Sequence, residues 1–102
     1  MSETKPTLML IVRGLKSRLP YEELERRYRV RMPQFREIPG LVQKYYSHDP
    51  ETGELAGIYL WDSRESLAAY LESDLRKTIP SAYELIEPPQ IEVYPIVDVL
   101  RT

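Results

Sequence analysis

The order of the apolar segments constrains the fold more than any other feature of this sequence. A short apolar run from Thr7 to Arg13, bounded by a proline and a glycine, is typical of a buried strand. From Tyr21 onward, apolar residues recur every three or four positions, as on one face of a helix: Leu24, Tyr28, Met32 and Phe35. Because Pro33 lacks a backbone N–H, we expect this helix to kink or to end early, near Met32.

The second half of the chain predicts a hairpin, a further helix and a final strand. Strand patterns at Leu41 to His48 and Gly57 to Trp61 flank a short polar segment with a proline and a glycine, which favours an antiparallel hairpin. Asp62 stands at the N-cap position of the next helix, which we expect to restart at Ser73-Asp74 and whose apolar side is Leu67, Ala68 and Leu71. Ile91 to Leu100 alternates as a long final strand that is apolar on both faces.

The resulting order is strand, helix, strand, strand, helix, strand. It predicts an α+β, ferredoxin-like βαββαβ fold, in which a four-stranded antiparallel sheet carries both helices on one face. We expect residues 1–102 to form a single domain, because a second core would leave each half too small. Two helices cover only one sheet face, and the final strand is apolar on both. We therefore expect a homodimer that buries the uncovered sheet face.

The composition excludes several classes of site and partner. The chain has no cysteine and a single histidine, so disulfide frameworks, thiolate zinc sites and sites built from several imidazoles are excluded. With 14 basic and 16 acidic residues, the charge balance argues against a nucleic-acid partner. The apolar run Leu8 to Val12 is too short for a membrane span or a signal peptide, so we expect a cytoplasmic protein without a membrane partner. No phosphate loop, dinucleotide fingerprint or metal-ligand spacing occurs, so no cofactor or metal is predicted.

The arginine-rich stretch from Arg26 to Arg31 suggests a phosphate or nucleic-acid site, but a solvated helix face explains it better. Three glutamates each precede an arginine by four residues, the spacing that favours ion pairs on a helix: Glu22, Glu23 and Glu25 before Arg26, Arg27 and Arg29.

The second strand carries polar or amphipathic groups on both faces. Lys44, Tyr46 and His48 alternate with Gln43, Tyr45 and Ser47, and the alternation alone leaves open which set points to the core. Tyr59 and Trp61 share one face of the next strand. A face that combines Lys44, Tyr46, Tyr59 and Trp61 would form an aromatic pocket with one cation, suited to a flat phenolic or quinone-like ligand. Packing in a core or a dimer interface is the alternative for these aromatic residues.

Two residues are candidates for acid–base chemistry. His48 carries the side chain that exchanges protons near neutral pH without a special environment, although a histidine at a turn is usually just exposed. Lys44 would act as a base only if buried. A buried Lys44 could equally bind a ligand anion or pair with a carboxylate such as Glu92 or Asp98.

Three stretches of the chain carry recognisable motifs: Ile38 to Tyr46, Ala56 to Trp61 and Ser66 to Leu71. The motifs are a Pro-Gly-Leu lead-in, a lysine two residues before an aromatic residue, and a Gly-Ile-Tyr-Leu-aromatic strand. In these motifs the chain resembles the YdhR-like monooxygenase family, which belongs to the dimeric α+β barrel superfamily together with the antibiotic-biosynthesis monooxygenases. The sequence departs from the family in having Ala56 where a glycine is usual, Tyr46 where tryptophan is common, and no asparagine.

The resemblance implies a homodimer with a pocket between sheet and helices, and oxygenation of a small aromatic substrate without a cofactor. In that chemistry the deprotonated substrate itself reduces oxygen. Lys44 would bind the anionic oxygen, His48 is a candidate base, and Phe35, Tyr46, Tyr59 and Trp61 would shape the pocket. The alternative is a non-catalytic small-molecule-binding or stress-associated barrel protein, and an isomerase or lyase on the same fold comes third.

Overall fold

The computed structural model describes residues 5–101, which form a four-stranded antiparallel sheet with strand order β2-β3-β1-β4 and helices on one face. The predicted ferredoxin-like α+β fold is confirmed. In chain order the elements are β1 (Leu8–Leu15), α1 (Tyr21–Arg36), β2 (Leu41–His48), β3 (Leu55–Trp61), α2 (Arg64–Leu71), α3 (Asp74–Lys77), α4 (Ile79–Ala82) and β4 (Gln90–Pro95).

The core lies between the helices and the inner face of the sheet. In β3, and in β1 as far as Val12, every second side chain is buried, as expected for strands with one covered face. Leu10 of β1 and Trp61 of β3 are fully buried, at 0% exposure. The helices contribute Leu24, Tyr28, Phe35, Leu67 and Tyr70 to the same core. The inner face of the central strands is therefore where a buried functional group would lie.

Helix α1 continues through Pro33 to Arg36, so the expected early end near Met32 is wrong. Phe35 lies beyond the proline and is buried in the core, whereas Pro33 itself is exposed. Packing of Phe35 against the sheet favours the last turn by roughly 2 kcal/mol, which offsets much of the penalty of a proline in a helix. The extra turn brings Phe35 to the inner face of β2.

The connection from β3 to α2 differs from the prediction by one residue. Ser63, not Asp62, is the N-cap, and its hydroxyl accepts a hydrogen bond from the Ser66 N–H at 3.1 Å. Asp62 instead donates its backbone N–H to the Gly40 carbonyl at 2.9 Å. Gly40 has a φ of +82°, and a side chain there would collide with Ser66 and Asp62. A glycine is therefore required at the start of β2.

Helix α2 ends at Leu71, and the chain restarts as α3 with Ser73 as its N-cap, as predicted. Its buried residues are Leu67 and Tyr70, whereas Ala68, which we placed on the apolar side, is exposed. The buried face of α2 therefore contains Tyr70 rather than Ala68, and Tyr70 brings a hydroxyl into the core.

Strand β4 is shorter than the predicted strand from Ile91 to Leu100, because it ends at Pro95. Its partner β1 begins at Leu8, which pairs with Pro95, so residues beyond this point have no strand to pair with. After a last hydrogen bond from Ile96 N–H to the Thr7 carbonyl, Val97 and Leu100 are 96% and 94% exposed. The predicted alternation holds only within β4.

The arginine-rich part of α1 is a solvated face, as predicted. Arg29 pairs with Glu25 at 2.9 Å and Arg27 pairs with Glu23 at 3.0 Å. Arg26 also pairs with Glu23, three residues before it, rather than with Glu22 as the spacing suggested. Of the helices in residues 5–101, none combines the length and apolar character needed to span a bilayer.

Candidate functional site

The structure settles which face of β2 points to the core. Lys44, Tyr46 and His48 are half-buried on the helix side, whereas Gln43, Tyr45 and Ser47 are exposed on the other. Lys44 lies directly opposite Tyr59 in the β2–β3 register. Tyr59 is 3% exposed, so the lysine side chain extends along a buried surface.

The Lys44 amine lies against the aromatic rings of Phe35, Tyr46 and Tyr59. We call Lys44 and these three residues together the Lys44 cage. Nζ is 3.6 Å from the centroid of the Phe35 ring, 4.3 Å from that of Tyr46 and 4.5 Å from that of Tyr59. A cation over the faces of aromatic rings is attracted by their quadrupoles, by about 0.5–2 kcal/mol for each favourable pair. Helix α1 supplies one wall of the cage, and β2 and β3 supply the other two.

The Lys44 amine has no carboxylate partner among residues 5–101. Glu92 pairs with Arg13 at 3.0 Å and Asp98 accepts from the Val99 N–H, so the structure does not show the alternative in which Lys44 pairs with one of these carboxylates. Burial, reinforced by the positive charge of Arg31, lowers the pKa of Lys44 to about 7. Both the amine and the ammonium are therefore populated near neutral pH.

A cavity of about 380 Å³ opens beside the Lys44 cage, within the size range of small-molecule sites. Its lining contains two basic side chains and no acidic one: Met32, Phe35, Arg36, Leu41, Val42, Gln43, Lys44 and Tyr46. The cavity is therefore positive and partly aromatic, a combination suited to a small anion with a flat apolar body.

Buried tyrosines continue the site inward from the Lys44 cage. The hydroxyls of Tyr59 and Tyr70 lie 3.2 Å apart and share a hydrogen bond. The Tyr83 hydroxyl is buried without a hydrogen-bond partner among the described residues, and it lies at a small void of about 30 Å³ that Lys44, Tyr46 and Tyr59 also line. Burial raises the pKa of Tyr46 to about 12 and that of Tyr59 well above its ordinary value, so these hydroxyls stay protonated.

Trp61 lies behind the Lys44 cage rather than in it. Its ring stacks on Tyr59 with centroids 6.2 Å apart and an interplanar angle of 4°, and it packs against Tyr70 at 5.2 Å. Because Trp61 is fully buried, the structure places it where it supports the position of the Tyr59 ring. A direct contact between Trp61 and a ligand stays a prediction.

His48 is not brought into the Lys44 cage. Its ring stacks on Tyr21 of α1 with centroids 4.0 Å apart, at the end of β2. Four residues along a strand correspond to about 13 Å, so the imidazole lies well away from the Lys44 amine. A catalytic role for His48 stays a prediction.

The structure adds Arg31, Tyr70 and Tyr83 to the residues selected from the sequence. Arg31 of α1 points toward the core side: its guanidinium donates to the Leu75 carbonyl at 2.8 Å and lies 5.6 Å from the Tyr83 ring centroid. Arg31 has no glutamate four residues before it, so the sequence already indicated that this arginine does not belong to the row of ion pairs on α1. Tyr83 lies in a segment without a clear pattern, so nothing in the sequence placed it near the site.

A second cavity, of about 500 Å³, lies between α2–α4 and β4. It is larger but mostly apolar, and the basic residues at its edge are Arg76 and Lys77, of which Lys77 faces Glu72 at 4.0 Å. Among the described residues that line it there is no buried amine or carboxylate, so the Lys44 cage with its neighbouring cavity is the stronger candidate site. In residues 5–101, no three imidazole or carboxylate groups are close enough to hold a metal ion.

Solved structures share this fold at low sequence identity. The NE2512 protein of unknown function from Nitrosomonas europaea is 15% identical, with a TM-score of 0.77 over 99% of this chain and 98% of that one. A "putative antibiotic biosynthesis monooxygenase" from Caulobacter crescentus CB15 is 19% identical, with a TM-score of 0.73 over 91% and 92%. A conserved protein from Methanosarcina mazei Go1 is 17% identical, with a TM-score of 0.72 over 90% and 94%. These similarities show the fold alone.

The sequence itself identifies the family. A search of curated proteins finds no match. Residues 13–96, however, match the family described as "Putative mono-oxygenase ydhR", which includes all of α1 to β4. The resemblance noted in the sequence is thereby confirmed, and the chain belongs to the ydhR mono-oxygenase family.

Proposed function

We propose that this protein is a cytoplasmic, homodimeric monooxygenase that oxidises a small phenolic or quinone-like substrate without a cofactor. The observation that carries the proposal is the Lys44 amine, which lies on a half-buried side chain, has no carboxylate partner among residues 5–101 and borders a positive, partly aromatic cavity. A buried basic group without a counter-ion is costly to the fold, and such groups are concentrated at functional sites.

Binding uses the cavity beside the Lys44 cage. A flat substrate ring would stack against the Phe35 and Tyr46 side chains, which both line that cavity. Lys44 and Arg36 supply positive charge there, so a phenolic oxygen is held with its charge toward the amine. The ring contacts set the orientation, and the basic groups favour the anionic form of the substrate.

Lys44 is the group best placed to accept the phenolic proton. Burial and Arg31 lower the pKa of Lys44 to about 7, so a substantial fraction carries a free amine at neutral pH. After the transfer, the resulting ammonium faces the phenolate, and this ion pair is stronger in a cavity than in water. The neighbouring tyrosines stay protonated and supply hydroxyl donors.

The oxygen step draws all its electrons from the substrate. The phenolate carbon para to the oxygen passes electrons to O2 and forms a C–O bond, which gives a peroxide on the ring. Loss of the hydrogen from that carbon as a proton breaks the O–O bond. One oxygen atom stays as the quinone carbonyl and the other leaves as water, so a phenol and O2 give a quinone and water.

The homodimer part of the proposal rests on the sheet. No helix within residues 5–101 covers the outer face, where Tyr45 and Tyr94 are 54% and 45% exposed beside half-buried apolar residues of β1 and β3. A second copy packed on this face would bury these side chains. Sedimentation at micromolar concentration tests it: a dimer supports this part, and a monomer overturns it.

Oxygen uptake by the purified protein tests the activity. The measurement uses phenols and naphthols with a hydrogen at the para position, and anthrone-like compounds, after treatment with a chelator, and follows O2 and the oxygenated product together. We expect saturable uptake with one O2 consumed for each molecule oxidised. No uptake above the rate without protein, across the whole panel, would overturn the proposal.

A non-catalytic binding protein is the second candidate, and one observation favours it. The void that Lys44 shares with Tyr46 and Tyr59 on the core side is only about 30 Å³, so it leaves no room for a substrate next to the buried Tyr59 hydroxyl. In this case the same compounds would bind in the 380 Å³ cavity beside the Lys44 cage and would not consume oxygen. Binding would be seen as a saturable change in the fluorescence of Trp61, which stacks on Tyr59.

A further inference from the structure

We propose that Lys44 is a carbonyl-capturing amine that forms a Schiff base with small anionic ketones and aldehydes, such as α- and β-keto acids. This activity is separate from the proposed oxygenation, because it needs neither O2 nor a phenolic substrate. It would make the site competent for carbonyl chemistry as well as for binding phenolates.

The geometry gives the amine the two things a nucleophile requires, access and freedom from competing partners. Lys44 lines the 380 Å³ cavity together with Phe35 and Tyr46, the two rings nearest its Nζ, and from this we infer that a molecule of a few carbon atoms reaches Nζ. Among residues 5–101, its neighbours are the Phe35, Tyr46 and Tyr59 rings, and no carboxylate holds it as an ammonium.

The charges around Lys44 favour the neutral amine. Burial, with Arg31 as a neighbouring cation, lowers the pKa of Lys44 to about 7, whereas the aromatic rings favour the ammonium. Desolvation next to another cationic group is a known way to activate a lysine as a nucleophile. Lys16 shows the opposite case, since hydrogen bonds and charges from Glu87 and Glu54 raise its pKa.

The reaction is a condensation that balances without an oxidant or a reductant. The amine nitrogen attacks the carbonyl carbon and a C–N bond forms. Both amine hydrogens leave with the carbonyl oxygen as water, and the product is a C=N double bond to Nζ. Proton shuttling within this step can use the adjacent Tyr46 hydroxyl, which stays protonated at neutral pH.

The cavity lining selects an anionic carbonyl compound. Arg36 lies in the same cavity as Lys44 and can hold a carboxylate while the amine faces the carbonyl. A neutral ketone of equal size would lack this second contact. We therefore expect pyruvate or acetoacetate to react more efficiently than acetone, by about tenfold or more.

The test is reductive trapping followed by peptide mapping of the wild-type protein. Incubation with pyruvate and cyanoborohydride converts the imine to a stable secondary amine, which mass spectrometry locates. We expect Lys44 to be labelled at least about tenfold faster than Lys16 or Lys77 near pH 7. Labelling spread evenly over these three lysines, or absent from Lys44, would overturn the proposal.

Two variants sharpen the result. Lys44→Arg keeps a positive charge but removes the primary amine, so the fast label should vanish, whereas Lys16→Arg should leave it intact. Arg31→Gln keeps a donor for the Leu75 carbonyl but removes the neighbouring charge, so the pH midpoint for labelling Lys44 should rise. A midpoint that does not move would contradict the role of Arg31. Oxygen uptake without trapping, or trapping without uptake, separates this proposal from the proposed function.

Discussion

The exposed face of α1 and the Lys44 cage treat positive charge in opposite ways. On α1, Arg27 and Arg29 each face a glutamate at 3.0 Å or less and remain in contact with water. In the Lys44 cage, the amine faces three aromatic rings and no carboxylate among the described residues. Two cationic regions of one small chain therefore differ in whether the charge is neutralised.

The paired arginines of α1 keep the surface soluble, whereas the Lys44 amine is available to a ligand. Exposed ion pairs contribute little to stability, because water screens them and side-chain entropy opposes them. A buried amine without a counter-ion destabilises the fold, and a bound anion would relieve that penalty. The comparison predicts that changes in the Lys44 cage have large effects and changes on α1 have small ones.

The largest expected effect is on activity. Lys44→Ala removes both the proton acceptor and the positive charge, so we expect oxygen uptake to fall by about a hundredfold or more. Arg29→Ala, the matched change on α1, should leave the rate within about twofold of the wild type. Steady-state oxygen-electrode kinetics measure both variants. An equal loss of oxygen uptake in the two variants would contradict the view that the Lys44 cage, and not the α1 face, carries the activity.

The next effect is on stability and its dependence on pH. The pKa of Lys44 falls from 10.5 to about 7 on folding, so between these values the unfolded chain holds a proton that the folded protein lacks. The penalty that Lys44 imposes on the stability of the fold is therefore largest below about pH 7, and it shrinks as pH rises from about 7 toward 10.5.

Lys44→Met should consequently be more stable than the wild type at about pH 6, by roughly 1–3 kcal/mol, with a smaller advantage at about pH 9. Urea unfolding at the two pH values measures the difference. A stability difference that is independent of pH would mean that the lysine keeps its ordinary ionisation when folded.

A smaller effect follows from the hydroxyl pair behind Lys44. Tyr59→Phe removes the hydrogen bond between the Tyr59 and Tyr70 hydroxyls, so the free energy of unfolding should fall by about 0.5–1.5 kcal/mol. Tyr45→Phe, on the exposed face of β2, is the matched control and should change little. If the two variants have the same free energy of unfolding, the hydrogen bond between Tyr59 and Tyr70 does not stabilise the Lys44 cage.

The smallest effect belongs to the α1 face. Glu25→Gln breaks the pair with Arg29 without changing the shape of the side chain. We expect thermal unfolding to be indistinguishable from that of the wild type, since exposed pairs are screened. A clear loss of stability would show that this face does more than keep the protein solvated.

The sequence predicted the fold well because its local patterns agree with its tertiary contacts. β2 from Leu41 to His48 and the restart at Ser73 were predicted at the positions observed. The errors arose where packing overrides local preference. Phe35 extends α1 past Pro33, and the last strand ends where β1 offers no partner beyond Leu8.

For the candidate site, alternation placed Lys44 and Tyr46 on one face of β2 and Tyr59 and Trp61 on one face of β3. It did not show which face points inward, nor that Trp61 lies behind Tyr59. Contacts between distant parts of the chain decide these points, as they do for Arg31 and Tyr83. No spacing rule in a single sequence reports such contacts.

The most direct test of the central claim, that the Lys44 amine holds an anionic phenolic oxygen, is an absorbance titration with para-nitrophenol at about pH 6. Most of the free compound is then neutral, and only the phenolate is yellow. We predict that added protein increases the phenolate band saturably, that Lys44→Met abolishes the increase, and that Arg29→Met preserves it. Binding of the neutral phenol alone, or an undiminished phenolate band with Lys44→Met, would contradict the claim.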